Sequence, residues 1–339
     1  MECKNLIDYL TIRWAGKSDP DEVVEQLGLD PALFEIRESS PLPGYRRSKV
    51  FGGIAVCYDS SGLFPDTKDS NHNSKSPEQM GVCVSMPGSG CRTFENMSVF
   101  RFKSEGAFAY LLQLVYLNPD INATRVDLAV DDHSGTLDMD TIIRYKSAQC
   151  IDSRITSFDV HISEKEGKCR GQTLYIGAPT SPFRIRIYDK AKEQFEPGEQ
   201  GYNEPWVRVE MVMRGKLAQG FVAAYCNSDD LGQLASGILN DHIRFIERDD
   251  SNITRCSTAQ FWLDFLQSVE AVKLLLPEPI QHTIERSKEW LMYQIAPSLA
   301  MYDQAFGTGG LIELLKFGRQ RMSAKHRAIL EDFEKRKAM

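Results

Sequence analysis

Three short segments of this chain place reactive side chains at alternate positions. In the stretch 183–190, Arg184, Arg186 and Tyr188 fall on one side and Ile185 and Ile187 on the other. In 206–214, Arg208 and Glu210 oppose Val207, Val209 and Met211. In 123–132, Arg125, Asp127 and Asp131 oppose Val126, Leu128 and Val130. A phenol, several guanidinium groups and carboxylates suit chemistry on a phosphodiester. The phenol can attack phosphorus and keep the bond energy as a phosphotyrosine, while cations offset the growing charge. Carboxylates can hold Mg²⁺ or Mn²⁺, which prefer oxygen ligands. On this reading Tyr188 is the nucleophile, with Arg186 and Lys190 as its catalytic neighbours. Asp127 and Glu210 are metal ligands and Asp131 a third. Arg125, Arg184 and Arg208 clamp phosphate or DNA.

Each assignment has a plainer competitor. A strand tyrosine is ordinarily a packing residue with a satisfied hydroxyl. Asp127 beside Arg125 or Arg208 could be a structural ion pair, and arginine-rich strand faces can simply blunt an edge. Residues 131–135 also read as a turn. Rossmann, P-loop, HExxH and GxSxG patterns are absent, which removes several familiar enzyme classes.

Period-two alternation makes the three segments half-buried strands, with one polar face and one face to pack on helices. Further strands are expected around Ile7–Leu10, in 33–39, 44–51, 52–59, 80–88, 154–163 and 172–178, the last forming a hairpin with 183–190 across 178–182. Residues 88–96 read as a turn leading to a short element. Residues 19–27 read as a helix with Asp19 as cap and Pro20 in its first position. Residues 104–118 carry an apolar stripe behind the candidate cap Ser104, and 138–148 form another helix. Residues 60–79 are polar and read as a surface loop. Beyond Gly215 the period changes to helical to the end of the chain. The expected class is α+β: an antiparallel-sheet domain over 1–214 with two β-rich halves in degenerate duplication, then a helical domain over 215–339 that binds DNA or dimerises.

The 339 residues are 42% hydrophobic and 26% charged, an ordinary globular balance. A net charge of −7 argues against a uniformly basic coat, yet residues 144–192 hold ten Lys/Arg against five Asp/Glu, and 310–339 hold eight against four. The C-terminal Lys316, Arg319, Arg321, Lys325 and Arg327 are candidate DNA contacts, or else the solvated face of a docked helix. Eight scattered cysteines form no CxxC or zinc pattern and read as free thiols. With no signal peptide and no long apolar run, a reducing cytoplasm and no membrane are the expectation.

The ordered segments RVDLAVDD, LYIGAPTSPFRIRIYDKAKEQ and WVRVEMVMRG resemble the replication initiation factor family, which comprises rolling-circle initiators and related relaxases. The segments IDYLTIRW, GGIAVCYD and MGVCVSMPGSGCRTFE look more like its phage branch. The resemblance spans nearly the whole chain. It implies a relaxase-like nicking domain and a metal-dependent nickase and strand transferase. Such an enzyme nicks the plus strand at a double-stranded origin, stays on the 5′ phosphate through tyrosine, and rejoins the displaced single strand. The family's tyrosine falls on Tyr188 and its acids on Asp127 and Glu210; Asp8 and Asp131 both remain open as the completing ligand, and Tyr175 is the rival nucleophile. The usual His–hydrophobic–His metal pair is reduced to the single His161. Implied partners are host helicase and polymerase, and plasmid relatives suggest a homodimer in the bacterial cytoplasm. A relaxase acting at a transfer origin and a non-catalytic origin- or operator-binding protein are the alternatives.

Overall fold

A computed structural model describes residues 4–16, 19–59, 80–98, 107–228, 231–266, 296–322 and 324–337. The alternating segments become one ten-stranded sheet in which every pairing is antiparallel. Its strands are β1 (Lys4–Trp14), β2 (Glu35–Arg37), β3 (Arg47–Phe51), β4 (Ile54–Tyr58), β5 (Val82–Met86), β6 (Ile121–Asp132), β8 (Phe158–Lys165), β9 (Lys168–Ile176), β10 (Phe183–Asp189) and β11 (Val207–Arg214). The short β7 (Ile151–Ser153) and β12 (Ile243–Phe245) pair separately.

The spatial order is β2-β3-β4-β5-β1-β6-β11-β10-β9-β8. Each half therefore repeats one plan: its first strand lies innermost, its last strand next, and the intervening strands run outward. The two first strands, β1 and β6, pair with each other at the centre, with Tyr9 opposite Asp127. Carrying the register across this pseudo-dyad sets Tyr9 in the place of Asp127. Ser85 then matches Glu210, Cys83 matches Arg208, Cys57 matches Tyr188 and Ala55 matches Arg186. The expected duplication of two β-rich halves is visible in this order.

Helices cover the apolar face. In the first half these are α1 (Pro20–Gln26), α2 (Gly88–Ser98) and α3 (Ala107–Leu117); in the second, α4 (Met139–Ser147), α6 (Lys216–Ser228), α7 (Leu231–His242) and α8 (Gln260–Leu266), while the short α5 (Lys190–Gln194) borders the polar face. Asp19 caps α1 by accepting from the Asp21 N–H, and Asp138 caps α4 by accepting from Thr141. Leu10, Ile12, Val126, Leu128, Ile185, Ile187, Val209 and Met211 point into one core with Phe94, Leu111, Ile142, Phe221, Ile238 and Trp262. Full burial of each such side chain contributes about 1.5–3 kcal/mol. The change of period at Gly215 marks the start of α6, and α6, α7 and α8 share this core. The last helices, α9 (Ala296–Gln320, broken at Gly307) and α10 (Ala324–Lys337), are largely exposed.

Two local expectations change. Residues 88–96 are not a turn but most of α2, a helix that keeps Gly90 where a Cβ would lie 2.6 Å from the Gly53 carbonyl oxygen. The helical pattern after Leu231 stops at His242, and Ile243–Phe245 turn extended to pair with β7. The loop expected at 60–79 and the cap Ser104 lie outside the described residues. Among the described residues, no helix is long and apolar enough to cross a membrane.

Candidate active site

Register builds the site as rows across the polar face. One row runs Asp131, Arg208, Tyr188, Thr173, His161 from β6 to β8. The next runs Ala129, Glu210, Arg186, Tyr175, Asp159. A third runs Tyr9, Asp127, Val212, Arg184. Alternation puts each of these side chains opposite the apolar core, so Tyr188 is only 6% exposed yet stands outside the apolar cluster.

The acids are engaged. Asp127 accepts from Arg125 Nε and Nη2 at 2.8 and 2.6 Å, a bidentate pair. Glu210 is held by Arg186. Asp131 accepts from Arg208 Nε and Nη2 at 2.6 and 2.8 Å, and the same guanidinium reaches Asp8 at 2.9 Å. Asp8 can do this because β1 shifts register between Ile7 and Tyr9. The irregularity turns a residue that strict alternation would have hidden toward the reactive face.

Burial raises the Glu210 carboxyl from 4.5 to about 7, against the pull of Arg186 and with the help of the nearby Asp127 and Asp8 charges. Burial also raises Asp127, opposed first by Arg125 and then by the neighbouring Glu210 and Arg186. Tyr188 is pushed above the ordinary phenol range, first by burial and then by Glu210, while Arg208 and Arg186 pull it down. The phenol thus stays protonated at neutral pH.

Two carboxyl groups on neighbouring strands, oxygen donors throughout, fit a hard divalent cation that keeps waters and takes the rest of its shell from phosphate. Among the described residues no group of three or more His, Cys, Asp or Glu side chains is arranged as a complete metal cage. Asp131 is tied up by Arg208, and His161 lies two strands beyond Tyr188, away from the acids.

Other sequence candidates are distributed around this centre. Lys190 opens α5 beside the Tyr188 ring, 5.7 Å from its centroid, and is paired with Glu193. Arg184 donates to the Gly177 carbonyl and covers the Tyr175 ring at 4.1 Å. Lys316 and Arg319 on α9, Arg321 just beyond its end and Arg327 on α10 are exposed and remote in sequence from the sheet; the side chain of Lys325 lies outside the described residues. Sequence reasoning missed Tyr9, whose ring lies under Arg125 at 4.0 Å and whose hydroxyl bonds Ser85 at 2.9 Å. It also missed Thr173, the strand partner of Tyr188, and the His133–Trp206 ring pair at 4.9 Å. Alternation in 172–178 carried the signal for Thr173; nothing local marked the others.

The repeat explains what the first half lacks. The Tyr9–Ser85 hydrogen bond stands where the second half sets Asp127 against Glu210. Burial pushes the Cys83 thiol up to about 12, so the cysteines at the places of Tyr188 and Arg208 are no nucleophiles at neutral pH. Tyr45, Ala55, Cys57 and Cys83 cluster there as a small second core.

Comparison with known proteins matches residues 121–315 to the family model described as replication initiation factor. Residues 4–112 match the model of a rolling circle replication initiation protein N-terminal domain. The two matches meet at the seam between the repeated halves. The chain is 26% identical over 340 residues to the candidate DNA relaxase NicK of Bacillus subtilis (strain 168), covering 96% of this chain and 89% of that one. The structure resembles that of a rolling-circle replication initiator protein from Geobacillus stearothermophilus, with a TM-score of 0.62 and 27% identity, covering 81% of this chain and 99% of the other.

Proposed function

From the premise that the chain belongs to the replication initiation factor family, we propose that Tyr188 nicks the plus strand of a double-stranded origin and later rejoins it. The observation that carries this reading is the row Asp131–Arg208–Tyr188 beside the diagonal neighbours Asp127 and Glu210. The Tyr188 oxygen attacks phosphorus, the phenol loses its proton, and the bond to the 3′ oxygen breaks. That oxygen leaves as a free 3′ hydroxyl after taking up a proton. The 5′ phosphate stays on Tyr188, and reversal against the displaced strand's 3′ hydroxyl closes it. Arg186, 35% exposed in its side chain, is the guanidinium best able to turn from Glu210 to phosphate. Arg208 is too deeply engaged and positions Asp131 and Asp8 around the phenol. Lys190, Arg125 and Arg184 extend the positive border along the strand.

Asp127 and Glu210 would hold Mg²⁺ or Mn²⁺, with Asp8 as the completing carboxylate. When bound, the ion supplies the positive charge that polarises phosphate and favours the phenolate. Lys316, Arg319, Arg321, Lys325 and Arg327 are proposed to contact duplex DNA outside the cut, from the helical part that follows residue 215. Host helicase and polymerase, a homodimer and the bacterial cytoplasm complete this reading.

The test is incubation with supercoiled plasmid carrying the cognate origin and Mg²⁺ or Mn²⁺, followed by a denaturing gel. Open circles and a covalent protein–DNA band are expected. Tyr188→Phe should lose both and keep DNA binding; unchanged nicking would move the role to Tyr175, and full DNA function without any cut would favour a binding protein. A second reading, a relaxase at a transfer origin, is favoured by the similarity to NicK. A phage replicon is the setting favoured by the N-terminal segments quoted above. The chemistry is common to both, and sequencing the cut site tells them apart.

A further inference from the structure

The acids lie on one side of Tyr188 and a cavity lies on the other. It measures about 320 Å³ and opens between β8, β9, β10 and α5. Its lining includes His161, Ser163, Thr173, Tyr175, Arg186 and Lys192, with Tyr188 itself in the wall. Register explains the floor: Thr173 is the strand partner of Tyr188, and His161 is the partner of Thr173. The His161 and Tyr175 rings meet edge to face at 5.1 Å, and Arg184 covers the Tyr175 ring. Arg186 brings a buried Nε with no hydrogen-bond partner, and Lys192 is steadied at 2.7 Å by Asp189.

We propose that this cavity takes one unstacked nucleotide next to the scissile phosphate, its base against His161 and Tyr175 and its phosphate near Arg186 and Lys192. The proposal rests on the nicking reading and adds to it a place where sequence is read. A strand whose phosphate meets the Tyr188 hydroxyl can continue toward β9 and α5, where the carboxylates that line the way, Asp189 and Glu193, are each paired with a lysine. The cavity lies on that path. Its size falls at the small end of ligand pockets, about 300–1,000 Å³, which suits a single nucleotide and not a stacked duplex. Aromatic rings hold any base by stacking, while the hydroxyls of Ser163 and Thr173 offer donors and acceptors to a base edge.

A randomised single-stranded DNA library with Mn²⁺ tests this. DNA joined covalently to the protein is recovered and its junctions sequenced. The wild-type chain should select a base at one of the two positions flanking the cut. His161→Ala and Tyr175→Leu should flatten that position alone and slow adduct formation about ten-fold. Tyr175→Phe, which keeps the ring, should retain the base preference at that position. Adducts that still depend on Tyr188 but show the same flanking preference and rate in both variants would overturn the pocket and leave the nicking reading standing. No adduct from the wild-type chain would bring down the nicking reading and the pocket with it. Equilibrium binding to single strands carrying one abasic position gives a readout apart from cleavage. Affinity of Tyr188→Phe protein should drop at one flanking position, and adding Tyr175→Leu should abolish that dependence; no dependence in Tyr188→Phe alone would count against the pocket.

Discussion

Glu210 is a carboxyl that burial brings to titrate near neutrality, and that has a measurable cost. Its folded value of about 7 lies above the ordinary 4.5, so its favourable contribution is complete below about pH 4.5 and is lost as pH rises through 7. With the metal chelated, the melting temperature of the wild type should fall between pH 5 and pH 8 relative to Glu210→Gln. The size is about 3 kcal/mol, in line with 1.36 kcal/mol per unit. Equal slopes for the two proteins would show that Glu210 ionises freely. Cleavage should run the other way, rising through pH 7 as the acid pair becomes able to hold a cation, and Asp127→Asn or Glu210→Gln should abolish it without unfolding the chain. Arg208 presents a different case. Its fork spans both Asp131 oxygens and also reaches Asp8. A lysine there could meet only part of this, so Arg208→Lys should cost about 3 kcal/mol in denaturant unfolding, with retained stability arguing that the pair is not closed in solution.

At the scale of elements, alternation alone announced the strands carrying Tyr188, Glu210 and Asp127, because a two-residue period is a local property. The pairing that gathers them is not local. Nothing in 4–14 reveals that β1 lies between β5 and β6, or that a shift at Asp8 turns an acid toward Arg208. Asp131 looked equivalent to Asp127 because both alternate correctly; only the cross-strand partner, Arg208 for the one and the uncharged Val212 for the other, separates them. Glycines hid α2 for a similar reason, since Gly90 is there for a neighbouring backbone and not for its own helix. A sharper instance is Gly81, just before β5. It has φ of 67° and would carry a Cβ 1.9 Å from the Trp14 carbonyl oxygen. Gly81→Ala should destabilise the chain by about 2 kcal/mol or more through strain at this joint. Wild-type-like unfolding would mean that β5 can draw back from β1.

Across the whole molecule, charge is divided rather than pooled. The net −7 coexists with the positive border of the sheet and exposed cations on α9 and α10. Binding to duplex DNA should therefore weaken steeply with salt. Arg319→Glu with Arg321→Glu should lower affinity and reduce the salt slope by about one for each phosphate contact removed. The melting temperature should hold, because these side chains lie outside the core; unaltered affinity would remove α9 from the DNA interface.

The central position of β1 also governs how the chain comes off the ribosome. β1 emerges before either of its partners, and the second of them, β6, is synthesised more than a hundred residues later. Until then a nascent first half carries a bare strand edge at what will become the middle of the molecule. Such an edge can template another chain's backbone. A fragment ending before Ile121 should therefore self-associate through β1, and the finished protein escapes that fate only because its own second half arrives to occupy the place.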